Sequence, residues 1–162
     1  MRVLASLLFV LVLVSPALVS AQDRTQAFLR HAVSVNRFQV ESSRLALKKT
    51  QNPDVHGFAN QMVVDFSAAS MKLRQAASEA KLPLRDALDA EHKALMEHLT
   101  RTAPGKTLSR AYLETEEKAL REDLPAFEAY AKTGDDERFK VYAQEMVPLL
   151  RGHLERVGKV RR

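Results

Sequence analysis

The sequence predicts an all-α protein, a four-helix bundle with a short crossover helix. The strongest observation is the stretch 52–81, where apolar residues recur at i, i+3, i+4 and i+7 along a single helical face. A second is composition, since five glycines and six prolines in 162 residues are too few for a turn-rich β protein. The third is that no stretch alternates polar and apolar residues as a strand does. A long amphipathic helix must be covered by others, which favours a bundle.

The N-terminus predicts a signal peptide over residues 1–21 and a helical domain over 22–162. Arg2 is a short basic region, residues 3–14 are almost wholly apolar, and Pro16 interrupts them. Val19-Ser20-Ala21 then offers small side chains, so we expect cleavage after Ala21. The alternative is an uncleaved membrane anchor, because residues 3–21 are nearly long enough to span a bilayer. Cleavage predicts a periplasmic or secreted protein with no remaining transmembrane span.

The first two predicted helices cover residues 25–51 and 52–81 and form an antiparallel hairpin. Asn52 is suited to cap the second helix, and Pro53 stands at the first turn, where proline is tolerated. Small side chains in the middle of the first helix allow a neighbour to approach closely. The two helices are expected to bury Phe28, Ala32, Val35, Phe38, Ser42, Leu45, Ala46, Val55, Phe58, Ala59, Met62, Val63, Phe66, Ala69, Leu73, Ala76 and Ala80.

Three further helices follow, a crossover at 88–100 and a second hairpin at 108–132 and 135–157. Ala103-Pro104-Gly105 ends the crossover helix, and Gly134 ends the fourth helix. Pro125 is expected to bend or split the fourth helix near Arg121, and Pro148 to interrupt the last helix.

Several function classes are excluded or disfavoured by composition. The chain has no cysteine, which excludes disulfides, thiolate metal sites and a lipoprotein-type anchor. Its net charge of +5 is scattered among acidic residues, whereas nucleic-acid binding calls for a clustered basic stripe. No nucleophile elbow or glycine-rich phosphate loop occurs. We therefore predict neither an enzyme nor a nucleic-acid-binding protein.

Four polar residues are predicted to lie at one height of the bundle: Glu41, Asp65, Glu117 and His153. Glu117 and His153 fall on apolar stripes, and the other two fall at stripe edges. Three carboxylates and an imidazole suit iron, manganese or zinc. A hydrogen-bonded or ion-paired layer is the favoured interpretation, and exposure to water is a third. The Glu-x-x-His motif of ferritin-like di-metal proteins does not occur in the sequence.

The other histidines are weaker candidates for ligands. Asp89-x-x-His92 is the nearest pattern to the di-metal motif, but it lies on the crossover segment and is expected to be exposed. His31 is expected in the core or at its rim, and His56 is expected in solvent. His92 and His98 are six residues apart and so do not share a helical face.

The order of motifs resembles the exported bacterial domain-of-unknown-function 4142 family over nearly the whole mature chain. The matching residues are Phe28-x-x-x-Ala32, Ser43-x-Leu45-Ala46-Leu47, Val55-x-x-Phe58-Ala59-x-x-Met62-Val63-x-Asp65, Leu88-Asp89-Ala90-Glu91-His92, Arg110-Ala111-Tyr112, Phe139-x-x-x-Ala143 and Pro148-x-Leu150-x-x-His153-Leu154. The resemblance implies a ferritin-like bundle at the outer membrane or in the periplasm, and it implies no reaction.

This chain departs from that family at three positions. The family has histidines where Phe66 and Leu120 stand, and an apolar residue where Glu117 stands. Only His153 remains of the three family histidines. We therefore expect an exported, non-catalytic protein of the cell envelope in a binding, structural or stress-related role, with a protein or envelope component as partner. The alternative is a ferritin-like metal-binding protein that uses the polar layer.

Overall fold

The computed structural model describes residues 20–162, and these form five α-helices and no strand. The helices are α1 (Ala21–Lys49), α2 (Pro53–Glu79), α3 (Ala90–Arg101), α4 (Lys106–Thr133) and α5 (Glu137–Val160). The predicted signal peptide falls almost entirely outside the described residues. The prediction of an all-helical protein is confirmed, and the boundaries of the five predicted helices differ from the observed ones by a few residues.

The helix ends follow from local chemistry. Asn52 caps α2, because its side chain accepts hydrogen bonds from the backbone N–H groups of Asp54 and Val55, and Pro53 opens the helix as predicted. Gly105 has a positive φ of 82° and donates its N–H to the Lys49 carbonyl, which joins the start of α4 to the end of α1.

Contacts between the helices define two hairpins and a shared core. α1 packs along α2 and α4 along α5, and further contacts join α2 to α5 and α1 to α4. The short helix α3 lies against α1 and α4. The core consists of aromatic and aliphatic side chains from the four long helices, among them Phe28, Phe38, Phe58, Met62, Phe66, Tyr112, Leu120, Phe127, Phe139 and Leu150.

The sequence predicts that Pro125 bends or splits α4, and the split is wrong; the predicted interruption of α5 at Pro148 is wrong as well. Both helices run through their proline without a break. A proline removes one backbone donor, and both prolines are exposed, so the carbonyls four residues earlier lie on the solvent side. Buried Leu120 and Phe127 hold α4 in place before and after Pro125. Burial of the flanking turns therefore outweighs the missing hydrogen bond.

Candidate functional site

The structure brings two of the four predicted layer residues together. His153 of α5 is 5% exposed, and its Nε2 lies 3.0 Å from Oδ2 of Asp65 on α2. The ring N–H does not point at that oxygen, which leaves Nε2 without a well-formed hydrogen bond. His153 also packs against Phe58 and Phe66. We name this contact the Asp65–His153 pair.

The other two predicted residues are held by arginines. Glu41 accepts a hydrogen bond of 2.7 Å from Nε of Arg37 on the same helix. Glu117 accepts one of 2.8 Å from Arg121 and also pairs with Arg161 near the end of the chain. Glu117 lies at the surface. The sequence pattern had placed its side chain on the core stripe, and the structure shows that it does not reach there.

A ferritin-like metal centre would require these four side chains to rearrange. Such a centre needs several inward carboxylates free to bind an ion, and two of the four predicted candidates are neutralised by guanidinium groups. Across residues 20–162, no group of three or more histidine and carboxylate side chains is placed to hold a metal ion.

A second polar cluster lies where α3 meets α1 and α4, and sequence reasoning missed it. Its centre is His92, expected to be exposed but in fact 2% exposed. His92 Nε2 lies 3.2 Å from Oδ2 of Asp123 on α4, and Nδ1 lies 3.0 Å from the carboxylate of Asp89. Ser34 and His31 of α1 complete this group, which we name the His92 cluster.

The members of the His92 cluster position one another. Asp89 caps α3 by accepting the backbone N–H of His92, and its own N–H donates to Ser34 Oγ. His31 is half-buried, with Nε2 3.4 Å from Oδ1 of Asp123. One buried carboxylate, that of Asp123, therefore lies between two imidazoles.

The two buried histidines have pKa values shifted in opposite directions. Burial alone lowers the pKa of His92, but the hydrogen bonds and charges of Asp123 and Asp89 outweigh it, so the pKa lies above its ordinary value. Burial also lowers the pKa of His153, and the single carboxylate of Asp65 does not compensate. The pKa of His153 therefore lies below its ordinary value.

Glu116, next to the predicted Glu117, is the fully buried carboxyl of α4. Burial raises its pKa to about 8, so it is mainly protonated at neutral pH. Its Oε1 lies 2.6 Å from Ser42 Oγ, and Ser42 Oγ also lies 2.8 Å from the Phe38 carbonyl. A protonated Glu116 donates to Ser42 and leaves the single Ser42 hydrogen for that carbonyl. The neutral acid thus satisfies both acceptors.

Helical periodicity contained the signal for the missed residues. Glu116 is four residues after Tyr112, and Asp123 is four residues before Phe127, and both aromatic rings are buried. The stripe of α4 is centred on these positions and not on residue 117. The spacing from Leu113 and Leu120 does not distinguish residue 116 from residue 117, whereas the spacing from Tyr112 favours residue 116.

A polar recess lies elsewhere, between α1 and α2. It has a cavity volume of about 430 Å³, and we name it the α1–α2 groove. Arginines and acids line its mouth and aliphatic side chains line its walls: Val33, Asn36, Arg37, Val40, Glu41, Arg44, Ser67, Ser70, Met71, Leu73, Arg74, Leu84 and Asp86.

A family model described as a domain of unknown function, DUF4142, matches residues 14–160. The chain belongs to the DUF4142 family. No curated protein and no solved structure matches it. Phe66 and Leu120 are both 0% exposed and lie in the apolar core. None of the described helices is apolar over a length that would cross a membrane.

Proposed function

We propose that this DUF4142 member is an exported, non-catalytic protein of the cell envelope that acts by binding a protein or envelope component. We also propose that its helices form a ferritin-like four-helix bundle with α3 as the crossover. The contacts of α1 with α2 and α4, and of α5 with α2 and α4, support that arrangement. The signal-peptide pattern before Ser20 supports export.

The observation that carries a binding role is the contrast between interior and surface. The groups suited to acid–base chemistry, His92, Asp123 and Glu116, are at most 4% exposed and contact one another or nearby side chains. Outside, Val64 and Met71 of α2 are 63% and 66% exposed, two turns apart on one helical face. Two exposed apolar side chains on one helical face, one of which lines the groove, can form part of a contact surface.

Fractionation of cells tests this proposal. We expect the native protein to begin at Gln22 by intact mass and to sediment with the envelope fraction. Val64→Glu should release it into the soluble fraction, because a buried unpaired carboxylate opposes an apolar contact. Val141→Glu is the matched control, since Val141 is an exposed apolar residue of α5. Equal release by both variants, or a soluble wild-type protein, would contradict the proposal.

Metal binding is the second candidate, and the Asp65–His153 pair is the observation in its favour. An imidazole and a carboxylate 3.0 Å apart supply two of the ligands that iron, manganese or zinc would need. Further ligands would have to come from Glu41 and Glu117 after release from their arginines. The test is metal analysis of the untagged protein from its native compartment beside His153→Ala and Glu117→Ala. Stoichiometric metal that both variants lose would establish this function and displace the first.

A further inference from the structure

We propose that the α1–α2 groove binds a small organic carboxylate with an apolar body and a hydroxyl group at its far end. This inference deepens the proposed binding role and rests on it. The volume of about 430 Å³ lies within the range of small-molecule sites. Three features of the groove support this inference: its arginines, its apolar walls and one unpaired amide.

The mouth of the groove is suited to a carboxylate. Arg37 and Arg44 lie two turns apart on α1, and Arg74 lines the groove from α2. Arg37 already donates to Glu41 and to the Asp86 carbonyl, so Arg44 and Arg74 are the guanidinium groups that would bind a ligand carboxylate. Asp86, on the segment between α2 and α3, lies 3.5 Å from Arg37 and 3.9 Å from Arg74. The chain's own exposed carboxylate thus already lies between two of the guanidinium groups. No residue in 20–162 forms an ion pair with Arg44, which is exposed. Arginine forks favour carboxylates because they donate two parallel hydrogen bonds.

The walls of the groove are apolar. Val33 and Val40 contribute from α1, Leu73 from α2 and Leu84 from the following segment. Met71 lies at the edge, and its flexible side chain can adapt to an apolar ligand. A ligand that extends inward from the arginines would therefore need an aliphatic body.

The unpaired amide belongs to Asn36. This residue lines the groove, yet it is 1% exposed, and its Nδ2 donates to the Tyr142 hydroxyl at 2.8 Å. Its Oδ1 is buried and, among the described residues, has no hydrogen-bond partner. Exchanging the amide O and N would leave the NH₂ group unpaired instead. A ligand hydroxyl would satisfy either arrangement once the groove opens far enough to reach this buried atom, since a hydroxyl both donates and accepts.

Purified protein and four probes test the proposal by titration followed with amide NMR shifts and calorimetry. The probes are ω-hydroxyoctanoate, octanoate, octanol and octylammonium. We expect saturable 1:1 binding of ω-hydroxyoctanoate, with shifts at the groove residues. Octanoate should bind about fivefold more weakly, because it lacks one neutral hydrogen bond. Octanol and octylammonium should bind at least tenfold more weakly than octanoate.

Charge variants locate the site. Arg44→Gln and Arg74→Gln should each weaken ω-hydroxyoctanoate about tenfold. Lys48→Gln, which removes one charge from the same helix outside the groove, should change affinity less than twofold. The proposal is overturned by absence of saturable binding, by equal binding of octylammonium, or by equal effects of Arg44→Gln and Lys48→Gln.

The titration of the groove and the fractionation of cells test two proposals that can fail independently. If the carboxylate probes do not bind but Val64→Glu still releases the protein from the envelope, the groove proposal is wrong and the envelope-binding role stands. If the probes bind in the groove and Val64→Glu releases nothing, the groove binds its ligand and the envelope contact is wrong.

Discussion

His92 and His153 are both almost completely buried, at 2% and 5% exposure, yet their neighbours differ in number and placement. His92 is flanked by Asp123 and Asp89, one at each ring nitrogen. His153 has only Asp65, whose side chain is 24% exposed, and Arg156 disfavours its protonation further. Two carboxylates offset the cost of burying a charge, and one partly solvated carboxylate does not.

This difference shows how two regions of one helical core acquire opposite pH responses. A raised pKa at His92 stabilises the fold below about pH 6.5, and that stabilisation is lost as pH rises through the folded-state pKa. A lowered pKa at His153 has the reverse effect, because stability is lost as pH falls below about 6.5. Glu116 adds to the first response, since folding favours its protonated form.

The largest expected effect comes from Glu116→Gln. Between about pH 4.5 and 8 the unfolded carboxyl ionises while the folded one stays protonated, so wild-type stability falls as pH rises. The amide cannot ionise. As pH rises through this range, the free energy of unfolding of the variant minus that of the wild type should therefore increase by up to about 1.4 kcal/mol per pH unit.

Urea unfolding at several pH values checks this expectation. Glu117→Gln is the matched control, because Glu117 lies at the surface beside arginines that lower its pKa. Above pH 5, the free energy of unfolding of Glu117→Gln should change with pH in the same way as that of the wild type. Parallel pH profiles for Glu116→Gln and wild type would show that Glu116 is ionised in the folded protein.

The next largest effect should follow Asp123→Asn. The substitution keeps the shape of a 4% exposed side chain but removes the carboxylate between His92 and His31. Breaking a buried charged contact costs about 3 kcal/mol, so urea unfolding at pH 6 should show a loss of this order. A loss below about 1 kcal/mol would mean that His92 is neutral in the fold.

Asp89→Asn should have a smaller effect, about 1 kcal/mol at pH 6. Asparagine can still cap α3, so the loss isolates the charge that Asp89 presents to His92. The loss should shrink as the pH of the same unfolding experiment is raised, because deprotonation of His92 removes the charge that Asp89 pairs with. A loss that stays constant with pH would assign the effect to the cap instead.

The smallest effect is expected for Asp65→Asn, at most about 1 kcal/mol near pH 7. Asp65 is partly solvated, and its contact with His153 is poorly directed. Chemical unfolding beside Asp123→Asn gives a direct comparison of the two regions. A loss equal to that of Asp123→Asn would remove the distinction between them.

Most of the fold could be predicted because it depends on local patterns. Each local pattern determines one helix or one helix end. The examples are the apolar stripe of α2, the cap at Asn52, and the glycines at 105 and 134 that flank α4. The prolines could not be judged this way. Whether a helix survives Pro125 depends on tertiary burial of the flanking turns, which the sequence does not display.

The polar interior was predicted only in part, and for a physical reason. Matching residues by height along parallel axes found the Asp65–His153 pair. Matching by height carries no information on how each helix is rotated about its axis. The prediction therefore named Glu117, whereas the buried residue is Glu116. The position of α3 could not be predicted from the sequence either. Its contacts with α1 and α4 join residues that are distant in sequence, such as Ser34, His92 and Asp123.

The most direct test of the contrast is an NMR titration of the two histidine rings in the folded wild-type protein. Assigned ring resonances of His92 and His153 would be followed from pH 5 to pH 9, with single His→Gln variants for assignment. We expect His92 to titrate above its ordinary pKa of about 6.5 and His153 below it. The reverse order, or coincident titrations, would contradict the conclusion that two carboxylates raise the pKa of His92 while burial lowers the pKa of His153.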